Sequence, residues 1–242
     1  MNNPAQHNTR KSGIAPTQTV AVAMAAMEQI KGRAHGMPGL GVLFGKPGLG
    51  KTSALTRLAH PADINAVYVA CRSFETTKSL MQLILRELGV PMKEHWSVPA
   101  MFELACQHFG EQGRPLVVDE ADRIAEKSAI ELLRDLHDIG QVPILLVGEE
   151  HLQRKLVSKH ERFHDRVLVW ARAMPADDGD LSKLLNHYTP GLQLTVDARK
   201  ALLLKTGGVA RKVVTTLHNL QELARTRGLQ SITIDELAEV QS

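Results

Sequence analysis

Gly45-Lys46-Pro47-Gly48-Leu49-Gly50-Lys51-Thr52 is the stretch whose reading decides the fold. It fits the spacing G-x-x-x-x-G-K-[ST] in full. Glycines let backbone N–H groups turn inward and approach phosphate oxygens, and a following helix adds the positive end of its dipole. The apolar run Gly41–Phe44 precedes the loop, and Thr52–Ala59 carries a helical pattern after it. Strand, glycine loop and helix in that order predict a cradle for a polyphosphate. A glycine-rich turn with an incidental lysine would not need those flanks. The expected ligands are ATP and Mg²⁺. Lys51 is expected to reach the β- and γ-phosphates, and the Thr52 hydroxyl to ligate Mg²⁺. Gly45, Lys46, Pro47, Gly48, Leu49, Gly50 and Ser53 complete the predicted nucleotide-binding loop.

Outward from the loop, strand and helix patterns alternate. Ile64–Val69, Leu116–Val118, Ile144–Val147 and Val167–Trp170 read as further strands. Helices are predicted over 17–31, 77–88, 100–108, 128–139 and 150–157. The Ser128 and Glu131 pair has the spacing of a capping box. Alternation of this kind implies a parallel sheet covered on both faces, and the unbroken apolar runs at 116–118 and 144–147 suit strands buried on both sides. After Ala173–Pro175 only helices are predicted, at about 180–187, 197–205, 209–226 and 234–241, with a second capping box at Thr233 and Glu236. The expected division is a flexible tail at 1–16, an α/β domain at 17–175 and a helical domain at 176–242.

Leu116-Val117-Val118-Asp119-Glu120 is an apolar strand ending in two carboxylates. Beside a phosphate loop, Asp119 is expected to hold Mg²⁺ through water. Glu120 points elsewhere and is the candidate base that polarises the attacking water.

Bulk composition narrows the setting. The 242 residues are 43% hydrophobic and 23% charged, which supports an ordinary globular core. Net charge is +3, with 29 basic residues against 26 acidic ones, which permits a nucleic-acid partner without demanding one. The two cysteines, Cys71 and Cys106, form no CxxC and read as reduced thiols of a cytoplasmic chain. No apolar run reaches the roughly 18–20 residues that a membrane span needs. His160-Glu161-Arg162-Phe163-His164 matches H-E-x-x-H. A zinc site needs that segment inside a helix and a third ligand, whereas Asp165 and an apolar strand follow at once.

The order of loop, acidic strand, fourth strand, fifth strand and helical lid resembles that of the AAA+ ATPases over roughly residues 17–240. The resemblance implies a five-stranded parallel sheet in the order 5-1-4-3-2, a helical lid, and rings or spirals with ATP between subunits. It also implies an arginine before the fifth strand that reaches a neighbour's ATP. Arg162 and Arg166 occupy that stretch, and Arg166 abuts the strand. The lid signature G-x-x-R is present as Gly208-Val209-Ala210-Arg211, and the resemblance implies a contact of Arg211 with the γ-phosphate. Family members usually end the fourth strand in Asn, Ser or Thr; this chain departs with Val147-Gly148-Glu149.

Within that family, DEADRIAEKSAIELLRDLHDIGQVPILLVGEEHLQRKL (119–156) is similar to the DNA-transposition regulator ATPases, the group of the phage Mu transposition protein B and the TnsC-type proteins. The lid ending SITIDELAEV adds to the similarity. Residues 1–16 are too short for the helix-turn-helix domain of the Mu protein, so the chain is expected to be a reduced relative. The similarity implies ATP-dependent assembly on double-stranded DNA and a transposase partner. DNA contacts would fall mainly on phosphates; the candidates are Arg72, Lys78, Lys93, Lys127, Lys155 and Lys159. Two other readings stay open: a helicase-loader-like ATPase, and a nucleotide-gated protein scaffold that needs no DNA.

Overall fold

The computed structural model describes residues 13–34, 36–91, 95–159 and 164–240, with Lys159 described by its backbone alone. Helix α1 (Gln18–Lys31) leads into β1 (Leu40–Phe44), α2 (Lys51–Ala59), β2 (Val67–Ala70), α3 (Thr77–Glu87), α4 (Val98–Gln112), β3 (Leu116–Asp119), α5 (Ser128–Asp138), β4 (Ile144–Gly148), α6 (Glu150–Lys159) and β5 (Val167–Arg172). The five strands form one sheet in the order β2-β3-β4-β1-β5, and every pairing is parallel. This is the expected order read from the other edge.

Side chains alternate between the two faces of a strand, and the sequence supplies apolar residues to both. Val42, Leu116, Val118, Ile144 and Leu146 pack on one face with residues of α3, α4 and α5. Leu43, Val117, Leu145 and Val147 pack on the other with α1 and α2. Each such side chain contributes about 1.5–3 kcal/mol of burial, which is why no polar residue interrupts β4. In a parallel sheet all strand ends of one kind lie along one edge. Phe44 pairs with Gly148, and Ala70 with Asp119, so the exits of β1, β4, β2 and β3 are brought side by side.

Two local expectations fail. Strand β2 begins at Val67, not Ile64, because Asn65 adopts a left-handed φ of 55°, which breaks extended backbone before the strand starts. The Ser128 capping box does not form. Lys127 is the residue before α5, Ser128 Oγ instead shares a hydrogen bond with Thr77 Oγ1 at 3.1 Å, and Glu131 pairs with Arg134. The Thr233–Glu236 box does form, with Thr233 N donating to Glu236 Oε2 at 2.8 Å.

After β5 come α7 (Asp178–Tyr188), α8 (Val196–Thr206), α9 (Ala210–Arg227) and α10 (Ile234–Glu239). They pack around Leu184, Leu202, Val213, Leu217 and Leu237, and Ala15 from the start of the described chain joins them. Ala15 lies in the stretch expected to be tail, yet is only 2% exposed; residues 1–12 are outside the described residues. Buried Asp180 on α7 accepts the Gln18 N–H through both oxygens, at 2.9 and 3.0 Å, and so ties these helices to the start of α1. Among the described residues, no helix is long and apolar enough to cross a membrane.

Candidate functional site

The glycine loop leaves the end of β1 and opens α2. Gly48 has φ 81°, and a Cβ there would lie 2.7 Å from Val209 Cγ1, so no other residue fits. Leu49 turns into the core beneath, 5% exposed, and anchors the loop. Ala54 N donates to Gly50 O, which leaves the N–H groups of Lys51, Thr52 and Ser53 without helical acceptors. These are the donors that an anion at a helix N-terminus uses. Lys51 Nζ folds back over the loop and donates to Gly45 O at 2.6 Å and Lys46 O at 3.0 Å. Burial lowers its pKa, while the carboxylates of Glu149, Asp122, Asp119 and Glu120 act in the opposite direction.

The acids stand across from this lysine. Asp119 Oδ1 accepts the Glu120 N–H at 2.9 Å, and Oδ2 accepts the Tyr68 hydroxyl at 3.2 Å. Burial, then the Asp119 charge and hydrogen bond, push Tyr68 up to about 12, so it stays a protonated donor. Glu120 has a left-handed φ of 54°, which ends the extended backbone of β3. Its Oε2 lies 3.3 Å from Arg123 Nε.

Asp122 was not foreseen. Its side chain is 10% exposed, and Oδ1 accepts the Glu149 N–H at 2.9 Å. A Cβ at Gly148 would lie 2.7 Å from both Asp122 oxygens. The departure at the end of β4 therefore has a physical reason: glycine there makes room for a carboxylate delivered by the turn after β3. The sequence signal was the coincidence of a third acid at Asp122 with glycine at 148. Gly148→Ala should push Asp122 out or strain the turn. Overpacking of this kind costs about 1–3 kcal/mol, or a melting point lower by roughly 2–10 °C. An unchanged thermal unfolding curve would show that Asp122 is not held there.

Lys51, Thr52, Ser53, Asp119, Glu120, Asp122 and Arg211 all line one cavity of about 350 Å³. Arg211 comes from α9, and its backbone N–H donates to Gly48 O at 3.0 Å. Pro47, Gly48 and Gly50 line the same wall, whereas Gly45 and Lys46 contribute the carbonyls that Lys51 holds. Apolar side chains also line it, from Ile14, Ala15, Leu184, Tyr188 and Val214. Sequence reasoning missed that wall, since it unites three segments far apart in the chain. A cationic loop, acids and apolar side chains in one lining suit a nucleotide, with polar groups for its phosphates and apolar ones for its base. Thr52 and Asp119 both line this cavity, and a hydroxyl with a carboxylate is an oxygen donor set that suits Mg²⁺.

Arg166 is not part of this cavity. Its carbonyl accepts the Leu40 N–H at 3.1 Å, at the opposite end of β1 from the loop, and its Nε donates to Asp138 Oδ1 at 2.9 Å. Arg162 lies outside the described residues, as do residues 160–163 of the H-E-x-x-H match; His164 stacks on Trp170, with ring centroids 5.7 Å apart. Among the DNA candidates, Arg72 and Lys78 are exposed, and Lys155 is half-buried. Lys127 Nζ donates to Ser73 O at 2.6 Å and so pins the loop after β2. Lys93 and the Lys159 side chain lie outside the described residues.

No curated protein matches the chain by sequence. Among solved structures it is similar to the Aeropyrum pernix ORC2 protein in its ADPNP-ADP complexes, at 18% identity and a TM-score of 0.64 over 91% of this chain and 66% of that one. It is similar to the Aeropyrum pernix ORC1 protein in complex with DNA, at 18% identity and 0.63 over 91% and 63%. It is also similar to the Thermotoga maritima RuvB Holliday junction branch migration motor, at 17% and 0.60 over 91% and 66%. The chain thus spans just under two thirds of the length of these solved chains, and at such identities the likeness concerns the fold. Residues 34–156 match the AAA domain family. That span runs from before β1 into α6 and carries the loop, both acids and the end of β4, and on it the chain belongs to the AAA domain family of P-loop ATPases.

Proposed function

We propose that this chain is a DNA-associated AAA+ ATPase that assembles as a ring or filament on double-stranded DNA and regulates transposition through a transposase. One observation carries the ATPase part: Lys51, Thr52, Asp119, Glu120 and Arg211 converge on a single cavity from the start of α2, the end of β3 and the start of α9. In the proposed mechanism Lys51 and the N–H groups of α2 hold the β- and γ-phosphates. Thr52 and Asp119 would hold Mg²⁺, and the ion would supply neutralisation of charge on the phosphates. Glu120 accepts a proton from the attacking water. Arg211 reports the γ-phosphate to the helices of residues 176–242, which we take as a lid on the ATPase domain of residues 17–175.

The neighbour's half of the site falls to Arg166 or Arg162. A residue that acts in trans must lie away from its own nucleotide, and Arg166 meets that condition at the opposite end of the sheet. The DNA part draws support from the likeness to ORC1, solved with DNA, and to the RuvB branch migration motor. Its narrowing to transposition rests on the similarity of residues 119–156 to that group.

The test is retention of duplex DNA on a filter by the protein with ATP and with ADP. ATP is expected to raise retention at moderate salt, with a steep fall as salt increases. Equal retention with both nucleotides sinks the proposal.

A further inference from the structure

Helix α1 begins without a side-chain cap of its own. Thr17, the residue before it, makes no capping bond, and its first turn holds no acid. The opening N–H groups of a helix have no acceptor within it and carry the positive end of its dipole. Here the acceptor comes from 162 residues downstream. Asp180, 2% exposed, takes the Gln18 N–H on both carboxylate oxygens. Its cationic partner is Lys183, whose Nζ donates to Oδ1 at 3.0 Å from a half-exposed side chain. A buried carboxylate is costly unless it is hydrogen-bonded and paired, so Asp180 binds α7 firmly to the start of α1.

Further bonds secure the same segment. Thr19 Oγ1 donates to Met174 O and accepts the Met174 N–H, each at 3.1 Å. His187 Nε2 donates to Gly13 O at 2.8 Å. Residues 13–19 are thus tied at both ends, and Ile14, Ala15 and Thr17 between them line the nucleotide cavity. Two neighbours here pack on different cores. Ile14 packs on the cluster that contains Leu49 of the phosphate loop, whereas Ala15 packs in the cluster of α7 with Leu184 and Tyr188. Asp180, Leu184 and Tyr188 follow one another at four-residue steps, so one face of α7 both grips α1 and lines the cavity.

We propose that Asp180 is a positioning residue for nucleotide binding. Its grip on Gln18 holds Ile14 and Ala15 beside Leu184 and Tyr188, and so assembles the apolar lining that receives the nucleoside. The phosphate loop holds the phosphates without it. Asp180 does not line the cavity and acts through these residues. The proposal rests on the reading of this cavity as the ATP site, and it assigns the nucleoside share of the affinity to the joint between α1 and α7.

The experiment is equilibrium binding of ATP, ADP and inorganic tripolyphosphate to the full chain in one magnesium buffer, read by isothermal titration calorimetry. The wild type is expected to bind ATP more tightly than tripolyphosphate, which has no nucleoside. Asp180→Ala should weaken ATP and ADP by the same factor, about tenfold or more, the shift in assembled population that losing a hydrogen bond to a charged group allows. Tripolyphosphate should bind this variant as it binds the wild type. A purely structural role would lower all three affinities together. Asp180→Asn keeps an oxygen for the Gln18 N–H and should restore much of the loss. His187→Ala, at an exposed side chain, should shift ATP and ADP in the same direction by less. It carries the test if Asp180→Ala does not fold, and unchanged ATP affinity in it would then overturn the proposal. Parallel loss of ATP and tripolyphosphate affinity in Asp180→Ala, or no change in either, overturns the proposal and leaves the ATP site standing. A wild type that binds tripolyphosphate as tightly as ATP overturns it as well. Should the wild type bind neither, the ATP reading falls, and this proposal with it.

Discussion

Lys51→Ala is expected to weaken ATP binding by at least about 100-fold, the loss of two charge-assisted contacts at roughly 1.5–3 kcal/mol each. The ammonium already sits over the loop, bonded to Gly45 O and Lys46 O, so binding requires little reorganisation of the side chain. It also stands among the carboxylates of Glu149, Asp122, Asp119 and Glu120, which oppose the effect of burial on its pKa and favour the charged form. Removing it leaves four acids facing the position of the phosphates, so repulsion adds to the lost contacts. The bond to Lys46 O is exposed and the one to Gly45 O only partly buried, so water can replace the ammonium there, and the fold should survive with a nearly unchanged melting curve. Titration of a fluorescent ATP analogue reads the effect. Retained tight binding would remove the phosphate role from the loop.

Glu120→Gln should preserve ATP binding and slow hydrolysis by about 10²–10⁴-fold, the range that a positioned general base contributes. The amide keeps the shape but cannot take a proton from water. Asp119 is untouched, since its two oxygens are already engaged by the Glu120 N–H and by the Tyr68 hydroxyl, and neither bond needs the Glu120 side chain. The substitution also weakens the pair with Arg123, a stability cost below about 1 kcal/mol for an exposed pair. Single-turnover hydrolysis at saturating ATP separates the chemical step from binding. An unchanged rate would take the base role away from Glu120. Nearby Asp122 is poorly placed to replace it, because its Oδ1 is held by the Glu149 N–H.

Local spacing was enough to locate the loop at Gly45–Thr52 and the acids at Asp119–Glu120, because backbone approach to phosphate and a carboxylate at a strand exit are properties of consecutive residues. The sheet order came from the resemblance, and unbroken apolar runs such as Ile144–Val147 showed which strands are buried on both faces. Start signals proved less secure. The Ser128–Glu131 spacing suits a capping box, but Ser128 bonds to Thr77 and Glu131 to Arg134, partners that no local pattern names. The true start of β2 depends on the backbone of Asn65, which apolar periodicity does not register.

By itself, then, the sequence determined the phosphate loop, the acidic strand end and the alternation that makes a parallel sheet, since each is encoded within a few neighbouring residues. Tertiary structure alone decided what surrounds them. It brought Ile14, Tyr188 and Val214 to one apolar wall, set Asp122 into the space that Gly148 leaves, and placed Arg166 at the far end of the sheet from its own loop. These are contacts between segments distant in the chain, fixed by the packing of strands and helices against one another, and spacing along the sequence carries no record of them.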